Sequence, residues 1–299
     1  MIIDINNSEC TVIIINYNGS ADTLLCLKSI ESSTIDTSVI IVDNCSNLED
    51  YIKLKENCKK AKLIRSNVNL GFAGGNNLGI SEAFKYNSIN KIILLNNDTE
   101  IRSNCIEVLL KYLKEGVIVT PKMLYYNDKN RIWYAGGHIN KITGRAIHDH
   151  MNEIDQISST ETVDCDFTSG CCMGFTVKDL KRLGFLNESY FMYCEDTEFC
   201  LRAVNKGIKI RYVPQSVIYH KVSQSTGGGE SAFCLYYMTR NRLRYLNEYN
   251  NYFSIFAVPF TLVTRYIRIL QFVLKRDKKW RAISRGICDF YSHIDGNSY

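Results

Sequence analysis

The sequence predicts an α/β protein with a mainly parallel sheet flanked by helices and a helical tail at its C-terminal end. Three observations predict it. Short, wholly apolar runs recur early in the chain, at residues 12–15, 39–42 and 92–95. Such runs read as strands buried on both faces, as parallel sheets require. Segments with helical spacing separate them, so the connections are βαβ units. Beyond residue 250, apolar stretches broken by arginines lead into a basic cluster.

Residues 11–16 (TVIIIN) form the first strand. Tyr17-Asn18-Gly19-Ser20 makes a turn and helix cap, and residues 21–30 then place Leu24, Leu27 and Ile30 on one side of a helix. Residues 39–42 form the second strand, which ends at Asp43-Asn44. A helix over 48–57 and a strand over 62–65 follow. A glycine-rich loop from Asn69 to Asn76 opens a helix running to about Tyr86. The strand at 92–95 stops at Asn96-Asn97-Asp98. Residues 122–168 read as irregular strands and loops with a turn at Gly136-Gly137, and 168–176 is small and apolar. Residues 195–206 are helical and end at Gly207, a residue suited to the left-handed position after a helix. A strand at 208–213, a strand-like 217–220, a flexible break at Gly227-Gly228-Gly229 and a helix at 231–248 complete the series.

The formal net charge is +5, too modest to indicate a nucleic-acid partner. From Tyr236 onward there are 11 Lys/Arg against 4 Asp/Glu, so the basic excess belongs to the tail. Twelve cysteines are scattered without a CxxC pair, and Cys171-Cys172 are adjacent. That spacing suits neither a zinc site nor an easy disulfide. With no basic, apolar leader at the first residues, free thiols in a reducing cytoplasm are expected.

Asp98 follows a buried strand, at the sheet edge where open α/β folds bind ligands. A carboxylate there can hold a divalent metal against a phosphate; it can equally cap a helix or make a turn. Asn16-Tyr17-Asn18, Asp43-Asn44 and the glycine loop with Gly75 and Asn76 reach the same edge. Together with Asp98 they make a nucleotide site more economical than four coincidental turns, although neither GxGxxG nor a Walker A loop is present. Glu195, Asp196 and Glu198 open a helix beside the aromatic run Tyr190-Phe191-Met192-Tyr193. They either complement the helix dipole or supply a general base. His220, at a strand end, is a ligand candidate beside Asp98.

Read in order, these motifs resemble the family-2 inverting glycosyltransferases. They are Asn16-Tyr-Asn18, Val42-Asp43-Asn44-Cys-Ser46, Asn69-Leu-Gly-Phe-Ala-Gly-Gly-Asn76-Asn-Leu-Gly79, Leu95-Asn-Asn-Asp98, Ser169-Gly170, Glu195-Asp196 and His220. The similarity is greatest to the rhamnosyltransferase-like branch that builds bacterial surface polysaccharides, and it covers about residues 9–245. The resemblance implies a GT-A fold, a nucleotide-diphospho-sugar donor and Mg²⁺ or Mn²⁺. Asp43 then resembles the residue that reads a pyrimidine edge, and Asn16 and Asn18 the loop around the nucleoside. Asn44, Gly75, Asn76 and Asn97 join them as nucleotide-binding candidates. Asp98 resembles the last position of the DxD motif and His220 the distal metal ligand. Asp196 resembles the base, and Glu195 shapes the acceptor site. Two departures stand out. The DxD is Asn-Asn-Asp, and the acidic residue after Asp-Asn-x-Ser is displaced from Asn47 to Glu49-Asp50.

The expected organisation is a GT-A domain over 1–245, with a nucleotide-binding half to about 120 and an acceptor half from 121, then a tail over 246–299. In the tail, residues 252–264 are apolar, Arg265 and Arg268 interrupt, and Lys275 to Arg281 are mostly basic. The uninterrupted apolar run falls short of the ~20 residues that a span needs. A helix lying on the anionic inner face of the cell membrane fits better, as does one packed on the domain. The expected partners are the donor and a glycan or polyprenyl-diphosphate-linked acceptor. A nucleotide-sugar nucleotidyltransferase and a non-catalytic nucleotide-sugar-binding scaffold remain alternatives.

Overall fold

A computed structural model of the chain describes residues 1–156, 159–222 and 230–299. The strands are β1 (Cys10–Asn16), β2 (Ser38–Asp43), β3 (Lys62–Arg65), β4 (Lys91–Asn96), β5 (Thr99–Ile101), β6 (Val117–Tyr125), β7 (Ile132–Tyr134), β8 (Gly137–Asn140), β9 (Arg145–His148), β10 (Val163–Cys165), β11 (Cys172–Thr176) and β12 (Lys209–His220). The helices are α1 (Ser20–Glu31), α2 (Leu48–Asn57), α3 (Gly71–Ala83), α4 (Cys105–Tyr112), α5 (Val177–Leu183), α6 (Glu195–Asn205), α7 (Ala232–Glu248), α8 (Ala257–Leu274) and α9 (Trp280–Tyr291). The expected break at Gly227-Gly228-Gly229 lies outside the described residues.

The main sheet runs β10–β12–β6–β11–β4–β1–β2–β3. Its first-half strands pair in parallel, β1 with β2 and β4, and β2 with β3. Isoleucines 13, 14, 40, 41 and 92 have no exposure, as strands covered by helices on both faces require. The second half is mixed. β11 enters antiparallel to β4, and β12 runs parallel to β6. The region read as irregular therefore opens with β6, a nine-residue strand. The two expected pieces at 208–213 and 217–220 are one strand. Its register shifts between Val213 and Val217, where Pro214 has no amide to give to the ladder.

The glycine-rich segment is also not the expected loop. α3 begins at Gly71, so most of the glycines lie inside the helix. A Cβ at Gly79 would stand 2.4 Å from Ile13 Cγ2, and one at Gly75 would stand 3.2 Å from Ile15. These glycines let α3 sit directly on β1.

At the C-terminal end, α9 packs on α7. Gly286 permits the close approach, since a Cβ there would meet Tyr236 O at 2.7 Å. Phe191, Tyr236, Tyr237, Leu243, Phe272 and Ile283 belong to a second core at this junction. Arg265 and Arg268 do not interrupt α8. It is a continuous 18-residue helix of mean hydropathy 1.3, long and apolar enough by length and composition to cross a membrane, with 17% of its residues buried. All twelve cysteines are unpaired thiols.

Candidate active site

The carboxyl ends of β1 and β2 carry a buried polar network. Asn16 Nδ2 donates to Asp50 Oδ2 at 2.8 Å, Ser46 Oγ at 3.0 Å and Asp43 Oδ1 at 3.2 Å. Its Oδ1 accepts from Thr23 Oγ1 at 2.7 Å. Asn18, at a positive φ of 52°, accepts from Asn47 N with its Oδ1 and donates its own amide to Ser46. Burial pushes the Asp50 carboxyl up, but hydrogen bonds from Asn16, Ser20 and Ser46 outweigh it and hold the group below the usual range. Asp43 is fully buried beneath Arg65, whose Nε lies 3.2 Å from Asp43 Oδ2 and whose guanidinium stacks 4.0 Å from the Tyr51 ring centre. That Oδ2 accepts no hydrogen bond. Asn44 ties the strand end to α3, accepting from Leu70 N at 3.0 Å and donating to Gly71 O at 3.0 Å.

The other expected nucleotide residues sit differently. Asn97 joins this network through Thr23 Oγ1 at 3.1 Å. Asn76 is buried and donates to Phe72 O within α3. Gly75 is covered by Ile15 and is used for packing.

Asp98 occupies the tight turn between β4 and β5. Antiparallel pairing of β5 with β12 sets Thr99 opposite His220, which brings the histidine to the turn. His220 Nε2 lies 3.2 Å from Asp98 Oδ1. Both residues are nearly buried, and Asp98 Oδ1 and His220 Nδ1 lack hydrogen-bond partners. Two ligands at right angles on an octahedral Mg²⁺ stand about 3 Å apart, so the pair fits one edge of such an ion. Among the described residues no third His, Cys, Asp or Glu joins them.

The third part is the approach to α6. Phe191, Tyr193 and Cys194 all have positive φ, at 61°, 65° and 69°. Non-glycine residues there cost about 1–3 kcal/mol each and persist only where the surroundings impose them. The surroundings are α7. Asn241 Nδ2 donates to the carbonyls of Tyr190, Met192 and Tyr193, each at 2.8 Å. Arg240, with no exposure, donates to Ser189 O and Tyr190 O and orients Asn241 through its Nε. Asn241→Leu should cost about 3 kcal/mol, because it strands buried carbonyls. It should lower turnover more than donor affinity; urea unfolding and steady-state kinetics check both.

This clamp presents Glu195 and Asp196. Asp196 Oδ2 accepts from Gly170 N at 3.0 Å, and its Oδ1 from Thr197 N at 2.7 Å. A side chain at Gly170 would strike the Phe72 ring at 2.9 Å. Glu195 is 5% exposed and its Oε2 has no partner. Burial, then the Asp196 charge, push Glu195 well above the carboxylate range. Burial also raises Asp196, opposed by its bonds to Gly170 and Thr197. Glu198, third of the acidic residues, is structural: Arg202 grips both its oxygens, at 3.0 and 2.9 Å.

Sequence reasoning missed two residues here. Trp133 of β7 packs edge-on against His220, with centroids 4.4 Å apart, and against His148 of β9 at 4.6 Å. His148 Nδ1 bonds to Trp133 O at 3.0 Å, so that nitrogen carries the proton and Nε2 is free to accept. Burial holds this imidazole below its usual range, and it lies within electrostatic reach of both Asp196 and His220. Trp133 thus lies against both imidazoles, His148 and His220. A surface cleft of about 380 Å³ lined by Gly136, His138, Asp149 and Tyr212 includes none of the residues expected to act.

A sheet edge with a polar network, a strand-end aspartate with a histidine, and a carboxylate pair opening a helix are set in a fold of the GT-A type. The chain belongs to glycosyl transferase family 2, whose profile matches residues 11–184. It is 28% identical over 222 residues to the dTDP-rhamnosyl transferase RfbF of Shigella flexneri, covering 74% of this chain and 71% of that one. It is 25% identical over 248 residues to the low-salt glycan biosynthesis hexosyltransferase Agl10 of Haloferax volcanii, covering 78% and 74%. Among solved structures, GalNAc-T7 with UDP, GalNAc and Mn²⁺ aligns with a TM-score of 0.61 at 17% identity, covering 97% of this chain and 59% of that one. The mannosyltransferase PcManGT of Pyrobaculum calidifontis, in complex with GDP-Man and Mn²⁺, aligns at 0.58 and 12% identity, covering 95% and 87%. At these identities the likeness is one of fold.

Proposed function

We propose that this chain is an inverting glycosyltransferase that uses a pyrimidine nucleotide-diphospho-sugar, UDP- or dTDP-linked, with dTDP-rhamnose the first candidate. The acceptor is a hydroxyl of a glycan or polyprenyl-diphosphate-linked glycan in cell-surface polysaccharide synthesis. The observation that carries this reading is the strand-end pair of Asp98 Oδ1 and His220 Nε2, 3.2 Å apart, in a chain of glycosyl transferase family 2. Asp98 and His220 would hold Mg²⁺ or Mn²⁺, which neutralises charge on a departing diphosphate. Asp196 takes the proton of the acceptor hydroxyl as its oxygen attacks the anomeric carbon and the bond to the donor diphosphate breaks. One displacement inverts that carbon, so no enzyme nucleophile is needed.

Asp43 Oδ2 carries the base preference, because uracil and thymine offer an N3–H to a carboxylate oxygen that accepts no hydrogen bond. Arg65 covers it and is the side chain that a base must displace. The fold alone does not fix the base, since one fold neighbour is described with UDP and another with GDP-Man. UDP or dTDP should bind at least tenfold more tightly than GDP, measured by calorimetry with Mn²⁺. Tight GDP binding without UDP or dTDP binding would refute the assignment. Release of nucleotide from a matched nucleotide-sugar and acceptor separates an enzyme from a scaffold.

Membrane contact through the tail is part of the same proposal. α8 exposes Phe256, Val263, Ile267, Leu270 and Leu274 along one side, and the basic cluster from Lys275 to Arg281 follows it. Each basic residue near an anionic surface contributes about 1 kcal/mol. The full chain should co-sediment with phosphatidylglycerol vesicles at low salt, and Ile267→Asn with Leu270→Asn should release it. Equal sedimentation of both proteins would leave α8 without this role.

A further inference from the structure

The junction of α7 and α8 holds a group of cations that the transfer chemistry does not use. α8 packs Val258, Leu262, Ile269 and Phe272 against the second core. Arg265 lies between Leu262 and Ile269 on that inward stripe, where helical spacing calls for an apolar residue. Its Nε is buried and has no hydrogen-bond partner. Arg242 of α7 is 8% exposed, and its Nε is likewise unpartnered. Its Nη2 donates to Thr143 O, which anchors one end of the guanidinium. Thr261 Oγ1, one turn before Arg265, is a further buried hydroxyl without a partner. Arg145 of β9 completes the group, with its guanidinium 5.4 Å from the Phe260 ring centre.

These groups can all donate. Burial first, then mutual repulsion among Arg145, Arg242 and Arg265, hold the Arg242 and Arg265 guanidinium groups below the usual arginine range. Neither makes an ion pair with a carboxylate among the described residues. Residues 157–158 and 223–229 contain no Asp or Glu that might supply one. Buried, unpaired cations are costly, and neighbouring ones more so. Their arrangement is explained if an anion completes it, since guanidinium groups match phosphoryl oxygens in charge and geometry.

We propose that Arg145, Arg242 and Arg265, with Thr261, form a phosphoryl-binding site that takes the phosphate or diphosphate of the acceptor. The site adjoins the helix that opens with Glu195, because Asn241, the residue before Arg242, donates to Met192 O and Tyr193 O just ahead of it. It is separate from Asp98, which serves the donor. The outward side of α8 is apolar, so a phosphoryl group entering beside it arrives with a place for an attached lipid. Only the identity of the occupant rests on the transferase reading; the anion site itself does not.

The test uses the full chain in EDTA, with inorganic pyrophosphate as the probe, so that no metal can recruit it to Asp98. Calorimetry should show pyrophosphate binding to the wild type and to Asp98→Ala alike. Arg265→Leu should weaken it about tenfold or more, as loss of charge-assisted hydrogen bonds implies. Without anion, Arg265→Leu should unfold at the same or a higher temperature, because it removes an unpaired, partly buried charge. Arg145→Gln, at an exposed position, gives the same direction of change should Arg265→Leu fail to fold. Equal pyrophosphate affinity in wild type and both arginine variants overturns the site, as does loss of binding in Asp98→Ala alone. A vesicle arm separates the sources. Pyrophosphate binding that phosphatidylglycerol vesicles leave unchanged supports the acceptor's phosphoryl group. Arg265-dependent sedimentation without pyrophosphate binding overturns that occupant in favour of a lipid headgroup. UDP binding with Mn²⁺ is measured in every variant. If it stays intact while pyrophosphate has no effect, this site fails and the transferase reading stands.

Discussion

Asp196→Asn should abolish sugar transfer, by roughly 10²–10⁴ in rate, while leaving donor binding nearly intact. The amide keeps the shape, and its one oxygen can still accept from either Gly170 N or Thr197 N, though not from both. It cannot take a proton. The neighbouring Glu195 is the internal control. Two adjacent carboxylates cannot both ionise easily in a dry site, and their surroundings push them apart. Glu195 has no donor on Oε2, whereas Asp196 has backbone donors on both oxygens, so Glu195 keeps the shared proton and Asp196 the charge. Glu195→Gln should therefore retain far more activity than Asp196→Asn. The reverse order would make Glu195 the base, and near-normal turnover by folded Asp196→Asn would remove it from the reaction.

The same arrangement fixes two pH dependences. Turnover should fall on acidification with a midpoint above the ordinary aspartate value of 3.8, because burial raises Asp196. For stability, the folded-state pKa of Glu195 exceeds its unfolded value. Its contribution is fully present below about 4.5 and is lost as pH rises through the raised value. Glu195→Gln should flatten that decline in thermal unfolding measured from acid to neutral pH.

The first half of the fold was legible because each strand announces itself by an apolar run and stops at a polar residue. Asn16, Asp43 and Asp98 fall at those stops, so topology alone gathers them at one edge. The second half was not legible for local reasons. β7 and β9 have three and four residues, too few to show alternation, so Trp133 and His148 carried no signal. Their meeting with His220 depends on pairings that sequence spacing does not encode. The glycine segment misled because glycine serves loops and close helix packing alike, and only the contact of Gly79 with Ile13 decides between them. One signal was present and unread. α7 holds Arg240, Asn241, Arg242 and Arg244 within a helix otherwise rich in apolar residues. Buried charged groups in such a helix must bind something. Arg240 and Asn241 bind the strained turn before α6.

Asp98→Ala should remove the metal-dependent part of donor binding altogether. The reason lies in what the motif lacks. Asn96 stands where the family pattern leads one to expect the other carboxylate, and Asn97 is spent on Thr23. The metal would therefore depend on one carboxylate and one imidazole. Loss of a supporting residue around a metal typically costs 10–100-fold in affinity, and loss of the sole carboxylate should reach at least the upper end of that range. His220→Ala should cost less, about tenfold, because a neutral imidazole does not offset the ion's charge. Asp98→Asn separates charge from shape: it preserves the turn and should bind donor no better in Mn²⁺ than in EDTA. The measurement is calorimetry of UDP and dTDP with each protein, with and without Mn²⁺. Unfolding temperatures show that the turn survives. If Mn²⁺ leaves wild-type affinity unchanged, the buried contact of Asp98 with His220 only braces the β4–β5 turn. The donor diphosphate would then have to be held by groups other than this pair.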